Sequence, residues 1–155
     1  MLTRKTNVVP TTSIGRLFDA VASITGLAQQ NRFEGQAAML LENEIGALRT
    51  EEAYPLPGGD WAPLISAVLA DKNAGIRASV IAARFHNGLI DWMVEVARHA
   101  GEKQTVLSGG VFQNRYLTER AAAVLESRGL VVYTHRRVPP NDGGIALGQV
   151  VMSSG

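Results

Sequence analysis

Apolar residues in the first hundred positions recur at intervals of three and four, which is the spacing of amphipathic helices. The first predicted helix carries one apolar stripe, made of Ile14, Leu17, Phe18, Val21 and Ala22. Thr12 or Ser13 is placed to cap its start, and Gly26 is placed to end it. A second helix is predicted over 36–48, with the inward positions Ala37, Leu40, Leu41, Ile45 and Leu48. Residues 1–10 show no such pattern and are expected to form an irregular N-terminal arm.

Two further helices are predicted on either side of residue 75. The segment Y-P-L-P-G-G-D (54–60) is rich in turn residues and predicts a loop, with Asp60 as the cap of a third helix. That helix carries the apolar residues Leu64, Ile65, Val68 and Leu69. A fourth helix, predicted over 76–99 and ended by Gly101, has apolar residues on two sides. Such a helix is typically central and buried.

After Gly101 the pattern changes to short runs that contain β-branched residues. Residues 105–107 and 130–133 are predicted as strands, with a helix between them, and a last helix is predicted over 145–152. The order strand, helix, strand predicts parallel pairing with a right-handed crossover. The fold class is therefore a helix-rich α/β domain over 11–155, helical over 11–101 and β-α-β-α over 105–155. Two strands are too few for a stable parallel sheet, so further strands were either missed, come from a partner, or come from sequence outside these 155 residues.

Composition bounds the possible functions. The 155 residues are 46% hydrophobic, which suits one globular domain with a buried core. A formal net charge of +1 gives no support for a nucleic-acid or membrane partner. The absence of cysteine from the sequence excludes disulfides, thiolate nucleophiles and zinc-thiolate sites. The sequence shows no cleavable signal peptide and no membrane-length apolar run, so we expect a cytoplasmic location.

The segment V-L-S-G-G-V-F-Q-N (106–114) ends a predicted strand with a serine and two glycines. Glycines at a strand-to-helix junction allow backbone N–H groups to converge on an anion, and parallel sheets bind ligands at the ends of their strands. Ser108, Gly109 and Gly110 are therefore candidates for a phosphate site. The segment matches neither the P-loop nor the G-x-G-x-x-G pattern, so a turn that simply needs positive φ is the alternative.

A second glycine-rich segment, P-P-N-D-G-G (139–144), follows the second predicted strand. If the two strands are neighbours, the two glycine-rich turns lie side by side. Asp142 is then either the cap of the last helix or a metal ligand that faces the phosphates, because hard cations favour carboxylate oxygens.

Two more candidates belong to the first two helices. Asp19 follows Gly15 by one turn, which opens a notch beside a carboxylate that could accept hydrogen bonds from ribose hydroxyls. The alternative for Asp19 is a solvated helix residue. Gly35, in F-E-G-Q (33–36), would permit close approach at the start of the second helix.

The three histidines suggest no catalytic or metal site. None is four residues from another, so the sequence contains no helical metal-binding pair. His86 lies in the buried fourth helix and is interpreted as a core histidine with satisfied hydrogen bonds. His99 is explained by the dipole at a helix end, and His135 is interpreted as a surface residue at the end of a strand.

Four segments, taken in order, carry a resemblance that no single segment would support. They are T-T-S-I-G-R-L-F-D-A (11–20), F-E-G-Q-A-A (33–38), L-S-G-G-V-F-Q-N-R-Y-L (107–117) and P-N-D-G-G-I-A-L-G-Q (140–149). Together they resemble the C-terminal part of the HypF carbamoyltransferase family of hydrogenase maturation. The pattern is more distantly similar to the enzymes that make threonylcarbamoyladenosine in tRNA.

The resemblance implies part of the C-terminal lobe of an actin, hexokinase and Hsp70-type ATPase fold, which is ribonuclease H-like. It implies a reaction of carbamoyl phosphate with ATP through carbamoyladenylate. The carbamoyl group then passes to the C-terminal cysteine of HypE, on the way to the cyanide ligands of nickel–iron hydrogenase. The implied cofactors are ATP, or carbamoyladenylate, and a divalent metal.

The resemblance also implies roles for particular residues, although it names no catalytic residue in this sequence. Gly109 and Gly110 would lie against the phosphates, and Asn114 would approach the base or sugar. Asp19 would bind the ribose with Gly35 nearby. Asp142 would be the metal ligand of this lobe.

Parts of the family's pattern are missing from these 155 residues. They include the acylphosphatase-like domain, the zinc-binding motifs, the YrdC-like domain and the histidine pair of the metal site. We therefore expect part of an enzyme, with an incomplete metal site. It is either the ATP-binding half of such a carbamoyltransferase, a non-catalytic interaction or assembly module, or another ATPase of this fold, such as a small-molecule kinase. The small sheet also predicts a covered edge, for example in a homodimer.

Overall fold

The computed structural model describes residue 11 and residues 13–153. Thr12, one of the two possible caps, and the predicted arm at 1–10 lie outside these residues. The helices are α1 Ile14–Thr25, α2 Gln36–Ile45, α3 Trp61–Asn73, α4 Ala78–Ala100, α5 Arg115–Ser127 and α6 Ile145–Ser153. The strands are β1 Gln104–Leu107 and β2 Val131–Thr134. Short 3-10 turns lie at Pro57–Gly59, Gly110–Gln113 and Asp142–Gly144.

Each helix predicted from apolar spacing is present, and the differences lie at the ends. α2 ends three residues before the predicted boundary, because Gly46 takes a φ of 55° and leaves the helix. Leu48 still packs against the core from outside α2. The predicted cap of α3 is confirmed, since the Asp60 carboxylate accepts a hydrogen bond from the Ala62 N–H at 3.0 Å.

α4 is the centre of the core, as its two apolar sides predict. Helices α1, α2, α3 and α5 all pack against it. Phe18 of α1 meets Phe85 of α4 edge to face, with ring centroids 4.8 Å apart. The buried stretch of α4 runs over Ile81, Ala82, Ala83, Phe85, His86, Asn87, Gly88, Leu89 and Ile90. The C-terminal half is less covered, and Val96 there is 50% exposed.

The loop before α3 is fixed along α4 by polar contacts. The side-chain amide of Asn87 donates to the carbonyls of Thr50 and Glu52, each at 2.9 Å. The Tyr54 N–H donates to the Arg84 carbonyl at 3.1 Å. At Gly88 the approach is so close that a Cβ would stand 2.4 Å from the Tyr54 carbonyl oxygen. The loop and the helix are therefore in backbone contact.

β1 and β2 pair in parallel, from Gln104 opposite Val131 to Leu107 opposite Thr134, which confirms the predicted pairing. One face of the sheet turns toward the core, where Leu107 is buried. The other face presents the apolar side chains of Val106, Val131 and Tyr133, which are 65%, 49% and 48% exposed. No third strand joins this sheet within residues 13–153, so no further strand was missed in that part of the sequence.

The last helix also presents apolar side chains to solvent. Those exposed on α6 are Ile145, Leu147, Val150, Val151 and Met152. None of the helices in the described part of the chain has the length and apolarity needed to cross a membrane. The sheet face that carries Val106, Val131 and Tyr133, which we call the open face, is thus one of the exposed apolar surfaces of the described residues. Other exposed apolar side chains are Phe33, Met39, Trp61, Leu69 and Val96.

The contact at Gly88 gives a stability test. We expect Gly88→Ala to lower the free energy of unfolding by about 2–3 kcal/mol, because α4 or the loop must move to admit the Cβ. Gly148→Ala in α6 is the matched control, since its Cβ would meet no atom within 4 Å. That control should change stability by less than about 1 kcal/mol, toward a more stable helix. Urea unfolding of both variants measures the difference, and equal effects would contradict the close approach.

Candidate functional site

The two glycine-rich turns lie against each other at the carboxyl ends of β1 and β2. The Gly109 N–H donates to the Pro140 carbonyl at 2.8 Å. A Cβ on Gly110 would come 4.0 Å from the Cβ of Asn141. Ser108, Gly109 and Gly110 are exposed, and so is Asp142. The structure therefore brings these four predicted site residues together at one solvent-accessible edge of the sheet.

The backbone conformation explains only one of the two glycines of the first turn. Gly109 has a φ of 109° and a ψ of 159°, a conformation that residues with a Cβ rarely adopt. The backbone conformation alone therefore explains why this residue is a glycine. Gly110 is not among the positive-φ glycines, and the nearest atom to its added Cβ would be 4.0 Å away. The alternative of a turn that needs positive φ thus accounts for Gly109 and leaves Gly110 unexplained. A ligand that approaches the backbone would explain Gly110.

Some backbone N–H groups of this turn donate to carbonyls within the turn, and others have no acceptor there. Inside the 3-10 turn, the Phe112 N–H donates to Gly109 O at 3.0 Å, and the Asn114 N–H donates to Val111 O at 3.1 Å. The first N–H groups of such a turn have no acceptor within it. Within the described part of the chain, the amides of Gly110 and Val111 are therefore the donors that this turn can offer to an anion.

The N-terminus of α5 is closed by the protein's own side chains. The Glu42 carboxylate accepts from the N–H groups of Arg115 and Tyr116, at 2.7 and 3.0 Å. The Asn114 Oδ1 accepts from the Leu117 N–H at 2.8 Å. These three contacts satisfy the first amides of α5. An anion at this edge would therefore meet the glycine turn rather than the end of the helix.

Asn114 is a buried link between this turn and the core. Its side chain is 5% exposed, and its Nδ2 lies 2.8 Å from the Nε2 of His86. Since its Oδ1 caps α5, both ends of the amide are engaged within the protein. The structure gives Asn114 a capping role, and its contact with a base or sugar stays a prediction.

His86 is completely buried, and both of its ring nitrogens have partners. Its Nδ1 lies 2.7 Å from the Ala82 carbonyl oxygen. Because a carbonyl can only accept, Nδ1 carries the hydrogen and Nε2 accepts from Asn114. Burial lowers the pKa of His86 to about 4, so the ring is neutral at pH 7. The interpretation as a satisfied core histidine is confirmed.

His135 lies at the surface, as predicted, but it also contacts the first glycine turn at the carboxyl ends of the strands. The sequence did not predict that contact. His135 is exposed, and its Nε2 lies 2.9 Å from the Oγ of Ser108. The register of the sheet explains the contact. Leu107 of β1 pairs with Thr134 of β2, so the residues that follow them, Ser108 and His135, are neighbours.

Asp142 does not cap the turn that it begins. Asn141 does so, with its Oδ1 accepting from the Gly143 N–H at 3.0 Å, so the cap interpretation of Asp142 is wrong. Asp142 is exposed, and it follows Asn141, whose Cβ would lie 4.0 Å from a Cβ on Gly110 of the first glycine turn. No cluster of three or more histidine, aspartate or glutamate side chains that could hold a metal occurs in the described residues. A role of Asp142 as a metal ligand stays a prediction.

Asp19 lies in a separate hollow of about 280 Å³, lined by Asp19, Ala20, Ser23, Ala28, Gln29, Gln30 and Asn31. Its Oδ1 accepts from the Asn31 side chain at 2.7 Å, and its Oδ2 lies 2.8 Å from the Arg16 guanidinium. That second contact is an ion pair without hydrogen-bond geometry. Oδ2 is shielded from solvent and accepts no hydrogen bond from the described residues. Asp19 is thus not a freely solvated helix residue, and a role toward ribose stays a prediction.

Gly35 immediately precedes α2 as its N-cap residue, has a φ of 80° and is exposed. Its added Cβ would meet no atom within 4 Å, so the left-handed backbone explains this glycine. No residue of the glycine turns lines the Asp19 hollow. The structure therefore places the candidates in two groups, one at the strand tips and one at α1 and the start of α2.

A hollow of about 350 Å³ lies elsewhere, between α4 and the loop before α3. Its lining residues are Ala53, Tyr54, Pro55, Leu56, Pro57, Gly88, Asp91, Trp92 and Glu95. None of them is a predicted site residue. This hollow, although larger than the one beside Asp19, therefore contains none of the candidate chemistry, which lies at the strand tips and on α1.

Comparison with known proteins supports the resemblance. The family model described as "Carbamoyltransferase, Kae1-like Domain, second subdomain" matches residues 1–149. The chain is 39% identical to carbamoyltransferase HypF of Synechocystis sp. over 149 residues, which are 91% of this chain and 19% of that protein. It is 42% identical to carbamoyltransferase HypF of Rhizobium leguminosarum bv. viciae, over 90% of this chain and 19% of that protein. The chain thus spans about a fifth of the length of these curated relatives.

A solved structure has the same fold. It is the crystal structure of a full-length HypF in the phosphate- and nucleotide-bound form, with a TM-score of 0.83 and 38% sequence identity. The match covers 98% of this chain and 26% of that chain. The predicted class, a helix-rich partial lobe with a small parallel sheet, is confirmed by this similarity and by the described elements.

The burial of His86 predicts a pH dependence of stability. Its folded pKa of about 4 lies below the ordinary 6.5, so between these values the unfolded chain binds a proton that the folded chain does not. This contribution to stability is complete above pH 6.5 and is lost as the pH falls toward 4, by up to about 1.4 kcal/mol per pH unit. Urea unfolding at pH 4.5, 5.5 and 7 should show a smaller loss for His86→Gln than for the unsubstituted chain. His99→Gln, at an exposed histidine of the same helix, is the control, and identical slopes for all three proteins would contradict the assignment.

Proposed function

The chain belongs to the HypF family of carbamoyltransferases, as the second subdomain of the Kae1-like domain, and from this premise we propose that it binds the phosphates of a nucleotide. The observation that carries the proposal is the pair of glycine turns joined at the strand tips by the bond from Gly109 to Pro140. Gly110, which the protein's own packing leaves unexplained, would admit the phosphate to the backbone.

The proposed ligand is ATP or carbamoyladenylate with a divalent cation. In this proposal the amides of Gly110 and Val111 donate to phosphate oxygens, and the Ser108 hydroxyl lies beside them. Asp142 provides one carboxylate oxygen to the cation, whose charge would neutralise the phosphates. Asp19 would bind the ribose with Gly35 close by, and Asn114 would approach the base or sugar. The fit is supported by the open space at the two glycines and by the exposed carboxylate beside them.

The reaction that we propose for the whole enzyme follows the family. Carbamoyl phosphate and ATP would form carbamoyladenylate, and the carbamoyl group would pass to a HypE-like acceptor during hydrogenase maturation. Because this chain spans about a fifth of its relatives, we assign to it the positioning of phosphates and not the complete reaction. Family membership supports this proposal.

Nucleotide binding can be measured by calorimetry with ADP or ATP, with and without Mg²⁺. We expect Gly110→Val to weaken binding at least tenfold, about 1.4 kcal/mol, because the branched side chain fills the space for the phosphate. Asp142→Asn should reduce the gain in affinity that Mg²⁺ gives and leave metal-free binding nearly unchanged. Asp91→Asn, a carboxylate in the hollow at the loop before α3, is the matched control.

A folded chain that binds no nucleotide at millimolar concentration would contradict the proposal. Equal binding by the unsubstituted chain and by Gly110→Val would move the ligand away from the glycine turn. Folding of each variant is checked by circular dichroism before the titration.

A second candidate role, assembly, is favoured by the apolar side chains of the open face. Among the described residues no further strand pairs with either edge of the two-stranded sheet, and one of its faces carries Val106, Val131 and Tyr133. Parallel sheets are ordinarily covered on both faces. We propose that a second copy of this chain covers the sheet when no other lobe is present, which would make a homodimer.

Analytical ultracentrifugation tests the homodimer. We expect a concentration-dependent dimer, and Tyr133→Lys should shift it toward monomer by placing a charge in the interface. Lys103→Glu, an exposed residue just before β1, is a control for the effect of surface charge alone. A monomer at all concentrations would contradict the homodimer without affecting the nucleotide site.

A further inference from the structure

We propose that His86 is a positioning residue for the first glycine turn, acting from within the core through its hydrogen bond to Asn114. The proposal concerns the segment 108–114, whose amides would meet the ligand. What the turn binds rests on the proposed function above. That the turn is held by His86 rests on the geometry alone.

The orientation of the Asn114 amide follows from the tautomer of His86. The Ala82 carbonyl requires hydrogen on Nδ1, which leaves Nε2 as an acceptor. Asn114 must then present its NH₂ group to His86 and its oxygen to the Leu117 N–H. A reversed amide would place two donors against Leu117 and its oxygen against an acceptor. The imidazole thus selects the one amide orientation that also caps α5.

The imidazole is held in place by aromatic rings from three helices. Phe18 of α1, Phe85 of α4 and Tyr116 of α5 surround it edge to face, with centroids 5.3, 5.5 and 5.4 Å from the ring. In such surroundings an unpaired nitrogen or amide would be costly, because no water replaces the lost partner. Ring packing and hydrogen bonding therefore both keep His86 directed at Asn114.

Few charged groups can compete with this link. Tyr116 is the titratable side chain in ring contact with His86, and burial raises its pKa, so it is neutral. The Tyr116 hydroxyl donates to Asn87 Oδ1 at 3.2 Å and not to His86. The other two rings around the imidazole, from α1 and α4, are phenylalanines and carry no charge.

The first glycine turn is held by several hydrogen bonds, and one of them reaches His86 in the buried part of α4. At its start Gly109 is bound to the neighbouring turn through Pro140. In its middle the Phe112 carbonyl accepts from the Thr118 hydroxyl at 2.9 Å. At its end Asn114 is bound to His86. Loss of the bond to His86 would leave Asn114 without its partner on α4. Val111 and Phe112 would still pack against the core, so we expect faster exchange mainly for the amides at the end of the turn and the start of α5.

The test compares amide hydrogen exchange, measured by NMR, in His86→Phe, His86→Gln and the unsubstituted chain. For His86→Phe we expect the exchange rate of the Leu117 amide to rise at least tenfold more than the exchange rate of the Val68 amide. Val68 is a buried residue of α3 and serves as the reporter of global unfolding. His86→Gln, whose amide oxygen can accept from Asn114, should restore part of the protection. His99→Gln is the matched control, because His99 also bonds a carbonyl four residues before it on α4 but is exposed. It should leave Leu117 unchanged.

Asn114→Asp gives a signature that a packing role would not produce. The carboxylate can still cap α5, but it can bind His86 only when the imidazole is protonated. Relative to Val68, protection of Leu117 in this variant should therefore be at least threefold higher at pH 6 than at pH 8, after correction for the intrinsic rate. In the unsubstituted chain the ratio of Leu117 protection to Val68 protection should be the same at the two pH values. This variant decides the question if His86→Phe does not fold.

Nucleotide titration of the same variants separates this proposal from the proposed function. If the unsubstituted chain binds ADP, His86→Phe should weaken binding at least tenfold and His86→Gln less. If the unsubstituted chain binds no ADP, the proposed function fails, while the exchange results still decide the role of His86. Leu117 protection that is unchanged in a folded His86→Phe, or pH-independent in Asn114→Asp, would overturn the positioning role.

Discussion

Two adjacent polar side chains buried on α4 impose the constraint on which the rest of the structure depends. His86 and Asn87 lie in a stretch that four helices cover, so each must find partners within the protein. His86 finds Asn114 at the start of α5, and Asn87 finds the carbonyls of Thr50 and Glu52. A buried polar group left unpaired costs about 1–3 kcal/mol. These bonds therefore fix both the loop before α3 and the turn before α5 relative to one helix.

The order and type of the elements could be predicted from the sequence because each is a local pattern. Apolar spacing located the helices, and β-branched runs located the strands. Where prediction was wrong, a single residue overrode the pattern: Gly46 ended α2 although Leu48 continued its apolar stripe. Similarly, Asn141 rather than Asp142 took the cap, since both residue types cap well and the sequence alone does not rank them.

The candidate site was predictable in part. The paired glycines and the parallel order of the strands were enough to place the two turns side by side. The contact of His135 with Ser108 could have followed from the register, once Leu107 was set opposite Thr134. The link from His86 to Asn114 could not, because it joins residues 28 positions apart through side-chain orientations that depend on the packing of three aromatic rings. The same is true of Glu42, which reaches α5 from α2.

The bond from the Gly109 N–H to the Pro140 carbonyl also determines how this edge of the protein can move. A hinge motion that carries both strand tips together leaves this bond intact, whereas sliding of one strand past the other breaks it. Any motion that preserves this bond therefore carries the two turns together, and the spacing between them is conserved throughout it.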